Sequence, residues 1–447
     1  MLTENDRWQE PVPNPVGDLA TDAAALARHA AAAERTLAAL PARPDRSPEQ
    51  QALAEQVLIA RRRSADRFLG LHAGEVYDQL TEGRTRHLRI AELAETAAFR
   101  FPGLVPTPDE MEAERRYCQT DKEGREIDQG VFFRALLRDA VAGPHLIDAM
   151  QLPTARARKL LAALEAEDTV DLGTVLLERR GPVAHVTICN THCLNAEDEQ
   201  LVADLETAVD LVLLDARIRV GVLRGGVMTH PRYQGKRVFS AGVNLRELQA
   251  GRIGLVDFLL AREVGCLNKI ARGLLPAIEE DRFPDRTIQK PWIAAVDSFA
   301  IGGGMQLLML FDWVIAADDA WFSLPAAQEG IVPGLGNLRL GRLTGARLSR
   351  RIILGGRRIG ATDPEATLVC DEVVPPDQVT EAVETAALAM DSPAVVANRR
   401  MIVLAEEPED QFRAYLAEFA LLQARRLYGT DVTDKVDRGW RSTGARA

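Results

Sequence analysis

Two glycine-containing segments of the chain could bring backbone N–H groups to one negatively charged oxygen. One is Ala300–Leu307, AIGGGMQL, which follows the apolar run Trp292–Val296, typical of a strand covered on both faces. The other is Phe239–Leu245, FSAGVNL. N–H groups at a helix start lack partners within the helix and can point at a ligand oxygen, and two that converge form an oxyanion hole. An isolated GGG turn would also serve close helix–strand packing.

Four ordered motifs beyond Val170 resemble the crotonase (enoyl-CoA hydratase/isomerase) superfamily. They are NTHCLNA, SAGVN, KPWIAAVDSFAIGGG and FSLPAAQEGIVPGLGNLRLGRLTG. The resemblance implies an α/β fold, a crotonase-like spiral of ββα units, with acyl-CoA substrates and self-association as a trimer or dimer of trimers. It also implies that the N–H groups of Val243 and Gly303 form the oxyanion hole for a thioester carbonyl. Three neighbouring positions would then contribute to substrate binding: Ala241, Asn244 and Gly304.

The sequence departs from the hydratases of that superfamily at two positions. Hydratases place one glutamate just after the GGG turn and another before the IPG segment, where this chain has Gln306 and Ala326. Neither residue can serve as a carboxylate base, so hydration is disfavoured. Glu329, three residues beyond Ala326, is an available substitute, although a structural role in a turn explains it better.

A helical amino-terminal half combined with Gln306 and Ala326 resembles one branch of the superfamily. This branch comprises the cofactor-independent dioxygenases of vancomycin-type glycopeptide antibiotic biosynthesis, which supply the dihydroxyphenylglycine precursor. The resemblance implies conversion of a 3,5-dihydroxyphenylacetyl thioester of CoA and O2 to 3,5-dihydroxyphenylglyoxylate and CoA, through an oxyanion-stabilised enolate and an α-peroxide, without metal or flavin. In agreement, the sequence contains no H-E-x-x-H, G-x-G-x-x-G or P-loop motif, and His185 and His192 make a poor metal pair.

Other functions fit the same motifs. An acyl-CoA isomerase or thioesterase would use the same enolate or thioester cradle, and a non-catalytic acyl-CoA-binding scaffold would also tolerate the loss of both acids. Dependence of CoA release on oxygen would distinguish these classes.

Three side chains are candidates for contacting two ring hydroxyls of such a substrate. They are Glu197, just after the LNA element, Arg262, on a broadly apolar helix, and Gln306. Buried polar groups of this kind discriminate strongly, because an unpaired one is costly. Each residue also has a structural explanation. Glu197 could be a favourable acid in the first turn of a helix, and Arg262 could extend its charged end to the rim of the protein interior. Gln306 could be a core amide that is hydrogen-bonded to backbone.

A basic loop before Phe239 suits the phosphates and adenine of CoA. Its candidate residues are His230, Arg232, Tyr233, Lys236 and Arg237. The loop leads directly into the oxyanion segment, which favours this interpretation. A merely solvated basic loop is the alternative.

Length and composition limit the remaining possibilities. A chain of 447 residues predicts two domains, here a helical domain 1–169 and a crotonase-like domain 170–447. Ser47-Pro48-Glu49-Gln50 and Thr107-Pro108-Asp109-Glu110 predict capping boxes. A net charge of −11 without a basic block argues against nucleic acid, and five scattered cysteines without C-x-x-C indicate reduced thiols. With no signal peptide and no long apolar run, we expect a cytoplasmic protein with no membrane partner.

Overall fold

The computed structural model describes residues 8–277, 286–429 and 431–432. The chain divides into two compact units, each built from more than one segment. The first comprises Met1–Ala149, Gln249–Val256 and Arg413–Ala447, and the second comprises Met150–Leu248 and Asp257–Phe412. The division of the sequence at residue 169 into two folding domains stays a prediction.

The described chain up to Glu167 is helical, as predicted. Its helices are α1 (Leu19–Ala38), α2 (Pro48–Leu80), α3 (Ile90–Arg100), α4 (Pro108–Arg115), α5 (Glu126–Arg138), α6 (Ala142–Gln151) and α7 (Ala155–Glu167). Both predicted capping boxes are confirmed. The N–H of Gln50 donates to Ser47 Oγ at 3.3 Å, and the N–H of Ser47 donates to Gln50 Oε1 at 2.9 Å. The same reciprocal pair joins Thr107 and Glu110.

The second unit contains the strands of the described chain. They are β1 (Thr169–Asp171), β2 (Val175–Arg180), β3 (Val183–Ile188), β4 (Val220–Gly225), β5 (Trp292–Val296), β6 (Phe299–Ile301), β7 (Trp313–Ala317), β8 (Trp321–Ser323), β9 (Ile359–Gly360) and β10 (Glu372–Val374). Seven of them form one sheet in the order β1-β2-β3-β4-β5-β7-β10, and β6-β8-β9 form a second. Strands β3, β4, β5, β7 and β10 run parallel, while β1-β2-β3 is an antiparallel meander.

Strand β5 lies inside the main core, which explains its uninterrupted apolar sequence. All five of its residues are buried, between β4 and β7. Gly221 of β4 lies opposite Trp292 in the register, and a Cβ on Gly221 would lie 2.5 Å from the Trp292 ring. The indole therefore packs over a position that only glycine leaves open, and this fixes the strand that leads into the GGG turn.

Helices and one π-type helix complete the described chain. The π-type helix spans Leu255–Leu267. The α-helices are α8 (Glu199–Leu214), α9 (Leu245–Gln249), α10 (Asn268–Arg272), α11 (Gly303–Leu308), α12 (Ala326–Glu329), α13 (Gly336–Ile353), α14 (Val379–Met390), α15 (Pro393–Glu406) and α16 (Glu409–Leu427). A break at Gly345, with φ 73° and ψ 161°, interrupts α13. None of the described helices has both the length and the apolar character needed to cross a bilayer.

Candidate active site

A one-residue parallel bridge fixes the backbone around Val243. The N–H of Glu197 donates to Gly242 O at 2.7 Å, and the N–H of Asn244 donates to Glu197 O at 2.8 Å. Because Gly242 and Asn244 make these bonds, the N–H of Val243 between them is directed to the other side of its strand. Residue 197 thus orients the first of the two predicted oxyanion donors.

The GGG turn lies against this segment. The N–H of Ile301 donates to Ser240 O at 2.9 Å, and Gly302, with φ 55° and ψ −117°, adopts a conformation that favours glycine. A Cβ added to Gly242 would lie 3.4 Å from the nitrogen of Gly303. Within the described chain, the N–H groups of Val243 and Gly303 have no protein acceptor. Two free donors therefore lie on two closely apposed stretches of backbone.

Arg262 is the centre of a buried polar cluster behind this turn. Its Nε donates to Glu197 Oε2 at 2.5 Å, and its Nη2 donates to Glu197 Oε1 at 3.2 Å and to Gly303 O at 2.8 Å. Its Nη1 donates to Glu263 Oε1 at 2.8 Å and to Gln306 Oε1 at 2.9 Å. All four side chains of the cluster are buried. The structure brings together the three residues that the sequence proposed for ring recognition and adds a fourth, Glu263.

The charges of this cluster oppose the effect of burial. Burial alone would lower the pKa of Arg262, but the charges of Glu197 and Glu263 outweigh it and raise that pKa. The guanidinium is therefore firmly charged. Burial also raises the pKa of Glu263, against the opposing charges of Arg262 and Arg339.

The glycine at 334 makes room for Glu263. Gly334 has φ +44°, and a Cβ there would lie 2.1 Å from Glu263 Oε1 and 3.1 Å from Gln306 Oε1. Glu263 Oε2 also accepts the N–H of Leu335 at 3.3 Å. The PGLG segment of the sequence is therefore shaped around a carboxylate on the π-type helix, a rare element that often occurs at functional sites.

Comparison with known proteins shows the family to which the chain belongs. The profile of the enoyl-CoA hydratase/isomerase family matches residues 178–425. The chain belongs to this family, in the crotonase superfamily. It is 55% identical over 415 residues to a (3,5-dihydroxyphenyl)acetyl-CoA 1,2-dioxygenase of Amycolatopsis orientalis, covering 93% of this chain and 95% of the relative.

More distant relatives match only part of the chain. A probable enoyl-CoA hydratase of Rhizobium meliloti (strain 1021) is 31% identical over 46% of this chain and 71% of its own length. The crystal structure of an enoyl-CoA hydratase/isomerase from Pseudoalteromonas atlantica T6c has a TM-score of 0.49 and 21% identity. It covers 60% of this chain and 97% of its own.

The three further positions that the family resemblance assigned to substrate binding also make structural contacts in this chain. Asn244 Oδ1 accepts the N–H groups of Arg246 and Glu247 at 3.2 and 3.4 Å, so this side chain caps α9. Gly304 allows α11 to approach the preceding segment, since a Cβ there would lie 2.7 Å from Ser240 Cβ. Ala241 is half-buried, and its N–H donates to Leu194 O at 3.1 Å.

The basic loop folds back on itself beside β6. The N–H of Met228 donates to Lys236 O at 2.8 Å, and the Tyr233 ring packs against Phe299 with centroids 5.4 Å apart. Arg232 and Lys236 are exposed, and His230 is half-buried. Arg237 instead donates from Nη1 to Gly225 O at 3.0 Å, at the end of β4. The loop therefore carries two exposed cations, Arg232 and Lys236, and one arginine, Arg237, that is held by a hydrogen bond to β4.

At the position of the second hydratase acid, this chain has a buried apolar residue. Ala326 is buried at the start of α12. Glu329, at the end of that helix, has its pKa raised to about 7 by burial. Among the described residues, no group of three or more His, Cys, Asp and Glu side chains is placed to hold a metal ion.

Proposed function

We propose that this protein is a dioxygenase that converts 3,5-dihydroxyphenylacetyl-CoA and O2 to 3,5-dihydroxyphenylglyoxylate and CoA. The observation that carries the proposal is the Glu197–Arg262–Gln306 cluster directly behind the Gly303 turn. It places buried polar side chains for ring hydroxyls around Gln306, which stands where the hydratases of the family place a catalytic acid. The 55% identity to the dioxygenase of Amycolatopsis orientalis over nearly the full chain supports the same substrate.

The N–H groups of Val243 and Gly303 act as the oxyanion hole. Loss of the proton between ring and thioester gives an enolate whose charge rests on the thioester oxygen. Two preorganised donors stabilise that oxygen, and removal of one such donor typically costs about 2.7–4 kcal/mol in an enzyme. The lack of a protein acceptor for either group, within the described chain, fits this role.

The steps that follow enolate formation balance in atoms and electrons without a metal or flavin. The electron-rich enolate transfers one electron to O2, and recombination of the radical pair forms a C–O bond to give an α-peroxide. The terminal peroxide oxygen attacks the thioester carbonyl carbon and expels CoA as thiolate. O–O cleavage and loss of the second α-proton give the α-keto acid, and that proton neutralises the thiolate. Both oxygen atoms of O2 enter the product.

The replacement of the hydratase acids supports this chemistry. Gln306 presents its amide oxygen to Arg262, and Ala326 is buried, so neither position holds a carboxylate that could activate water. An enolate that meets O2 benefits from the absence of a positioned water. We assign Ala241, Asn244 and Gly304 to shaping this pocket.

The CoA moiety binds the loop before Phe239. His230, Arg232, Tyr233 and Lys236 offer charge and an aromatic face to the phosphates and adenine, while Arg237 holds the loop to the end of β4. We further propose a cytoplasmic enzyme that assembles as a trimer or a dimer of trimers, as the family resemblance implies.

Oxygen dependence tests this function. Chelator-treated protein is incubated with 3,5-dihydroxyphenylacetyl-CoA while O2 uptake and free thiol are followed. We expect one O2 consumed per CoA released, with both rates unchanged by added metal. Equal CoA release with and without O2 would identify a thioesterase, and no turnover in either atmosphere would favour an acyl-CoA-binding scaffold.

A further inference from the structure

Every N–H group of the Arg262 guanidinium already has an acceptor in the described chain. A guanidinium carries five N–H donors. Five hydrogen bonds use them, to the carboxylates of Glu197 and Glu263, to Gly303 O and to Gln306 Oε1. A ring hydroxyl that enters this cluster therefore meets oxygen acceptors rather than arginine donors.

The cluster also contains two carboxyl groups for one guanidinium. Two carboxylates, Glu197 and Glu263, face the single guanidinium of Arg262, and their exposed fractions are only 4% and 2%. The next cation, Arg339, also acts on Glu263, and it is bound to Glu407 through two hydrogen bonds of 2.9 and 3.0 Å. A buried excess of carboxylate oxygens favours a ligand that supplies hydrogen-bond donors.

Gln306 directs its amide oxygen toward Arg262 and its NH2 group away from it, so the amide adds one more oxygen acceptor to the cluster. Its Oε1 accepts from Arg262 Nη1, which also donates to Glu263. The opposite amide orientation would place NH2 against N–H, so the guanidinium determines which way the amide points. Glu263 and Gln306 are therefore positioned by the same nitrogen, and Gly334 leaves space for both oxygens.

We propose that Glu263 is a specificity-determining positioning residue of the ring pocket. Together with Glu197 it occupies Arg262 completely, so the pocket recognises ring substituents as hydrogen-bond donors, through carboxylate and amide oxygens. The inference rests on the proposed function, because it places the ring of the thioester beside Gln306. The ring substituents must therefore donate hydrogen bonds, and a fit by size alone is not sufficient.

Binding without turnover tests the requirement for donation. Under nitrogen, wild-type protein is titrated calorimetrically with phenylacetyl-CoA and its 3,5-dihydroxy, 3,5-diamino and 3,5-difluoro derivatives. The amino groups donate as the hydroxyls do, and fluorine cannot donate. We expect the dihydroxy and diamino thioesters to bind roughly tenfold or more tightly than phenylacetyl-CoA, and the difluoro thioester no better than phenylacetyl-CoA. Difluoro binding as tight as diamino binding would overturn the inference.

The variant Glu263→Gln tests the residue itself. We expect the preference for the dihydroxy thioester over phenylacetyl-CoA to fall roughly tenfold, with phenylacetyl-CoA affinity unchanged. Asp128→Asn is the matched control, since Asp128 is also a buried acid paired with arginines, Arg61 and Arg62, and lies on α5, outside this cluster. It should keep the preference. An equal loss for both thioesters in Glu263→Gln would show a merely structural role and overturn the assignment.

A second variant, at Gly334, perturbs Glu263 and Gln306 through packing. Gly334→Ala would place a methyl group against Glu263 Oε1 and Gln306 Oε1, so it should lower the preference as Glu263→Gln does. A preference that survives in both variants would overturn the proposal. A wild-type protein that shows the preference but consumes no O2 would instead refute the proposed dioxygenase function, so the two failures are distinguishable.

Discussion

Arg262 binds Glu197 through two nitrogens, Nε and Nη2, and the same Nη2 donates to the carbonyl oxygen of Gly303. Glu197 in turn bonds through its backbone to the residues on either side of Val243. The Glu197–Arg262 pair therefore links the ring cluster to the backbone at both proposed oxyanion donors. Binding at the ring end and stabilisation at the thioester end therefore share a support.

Removal of Arg262 should cost stability as well as activity. Arg262→Ala would leave Glu197 and Glu263 buried without a counter-charge, and breaking a buried ion pair in this way typically costs about 3–5 kcal/mol. Urea denaturation measures the loss. Arg342→Ala is the control, because Arg342 is partly exposed where it pairs with Glu407. Equal unfolding free energies for the two variants would contradict the central role of Arg262.

A side chain at position 303 should disrupt the oxyanion site. A Cβ on Gly303 would lie 2.5 and 2.6 Å from the Glu197 carboxylate oxygens, so one of the two groups must move. We expect Gly303→Ala to lower kcat roughly 100-fold or more, measured by O2 uptake. Gly341→Ala, within α13, meets its nearest atom only at 3.7 Å and should keep wild-type activity. A fully active Gly303→Ala protein would exclude this cradle.

Restoring the acid at position 306 should create a pH dependence. In Gln306→Glu a third carboxylate would face Arg262 Nη1 beside Glu263. Like charges raise the pKa of one carboxyl, so the new group keeps its proton at higher pH than an ordinary glutamate. The protonated form resembles the amide, and kcat/KM should therefore rise as pH falls. A pH profile parallel to that of wild type would contradict this expectation, and hydration of an enoyl-CoA would be an unexpected gain.

Glu329 should make stability depend on pH in a defined direction. Burial raises its pKa to about 7, above its value in the unfolded chain, so its contribution to stability is complete at low pH and is lost as pH rises through about 7. Relative to wild type, Glu329→Gln should therefore gain on the order of 2–3 kcal/mol in unfolding free energy between about pH 5 and about pH 8.

Urea-denaturation midpoints at the two pH values measure this gain. Glu381→Gln, at an exposed position on α14, is the control and should follow wild type. A Glu329→Gln protein with the same pH dependence as wild type would show that the carboxylate is ionised at little cost.

The fold and three of the four residues of the ring cluster were predictable from the sequence. Buried strand β5 and the capping boxes have strong sequence signals, because burial on both faces requires an apolar run and a capping box requires paired residue types. Arg262 was identifiable as an arginine on an apolar helix that needs a partner. The proposed oxyanion donors belong to the backbone, and only the order of the glycine motifs indicated them.

Glu263 could not be predicted because its role depends on contacts distant in sequence. Adjacent residues on an ordinary helix do not face one point, so an acid beside Arg262 reads as a solvated charge. Its position depends on the π-type helix and on space left by Gly334. The helix cap by Asn244 and the fixed contact of Arg237 likewise require knowledge of which backbone groups lie nearby.

The proposed oxyanion cradle consists of N–H groups and is held by backbone pairings of Glu197, Ser240 and Gly302 with their neighbours. Side chains such as those at 306 and 326 therefore lie outside the pairings that hold it. Mutations at these positions can change the chemistry beside the cradle while its backbone pairings are kept. A few amino-acid substitutions beside the cradle can therefore change the reaction that such a protein catalyses. The fold can in this way evolve toward new chemistry on activated acyl groups.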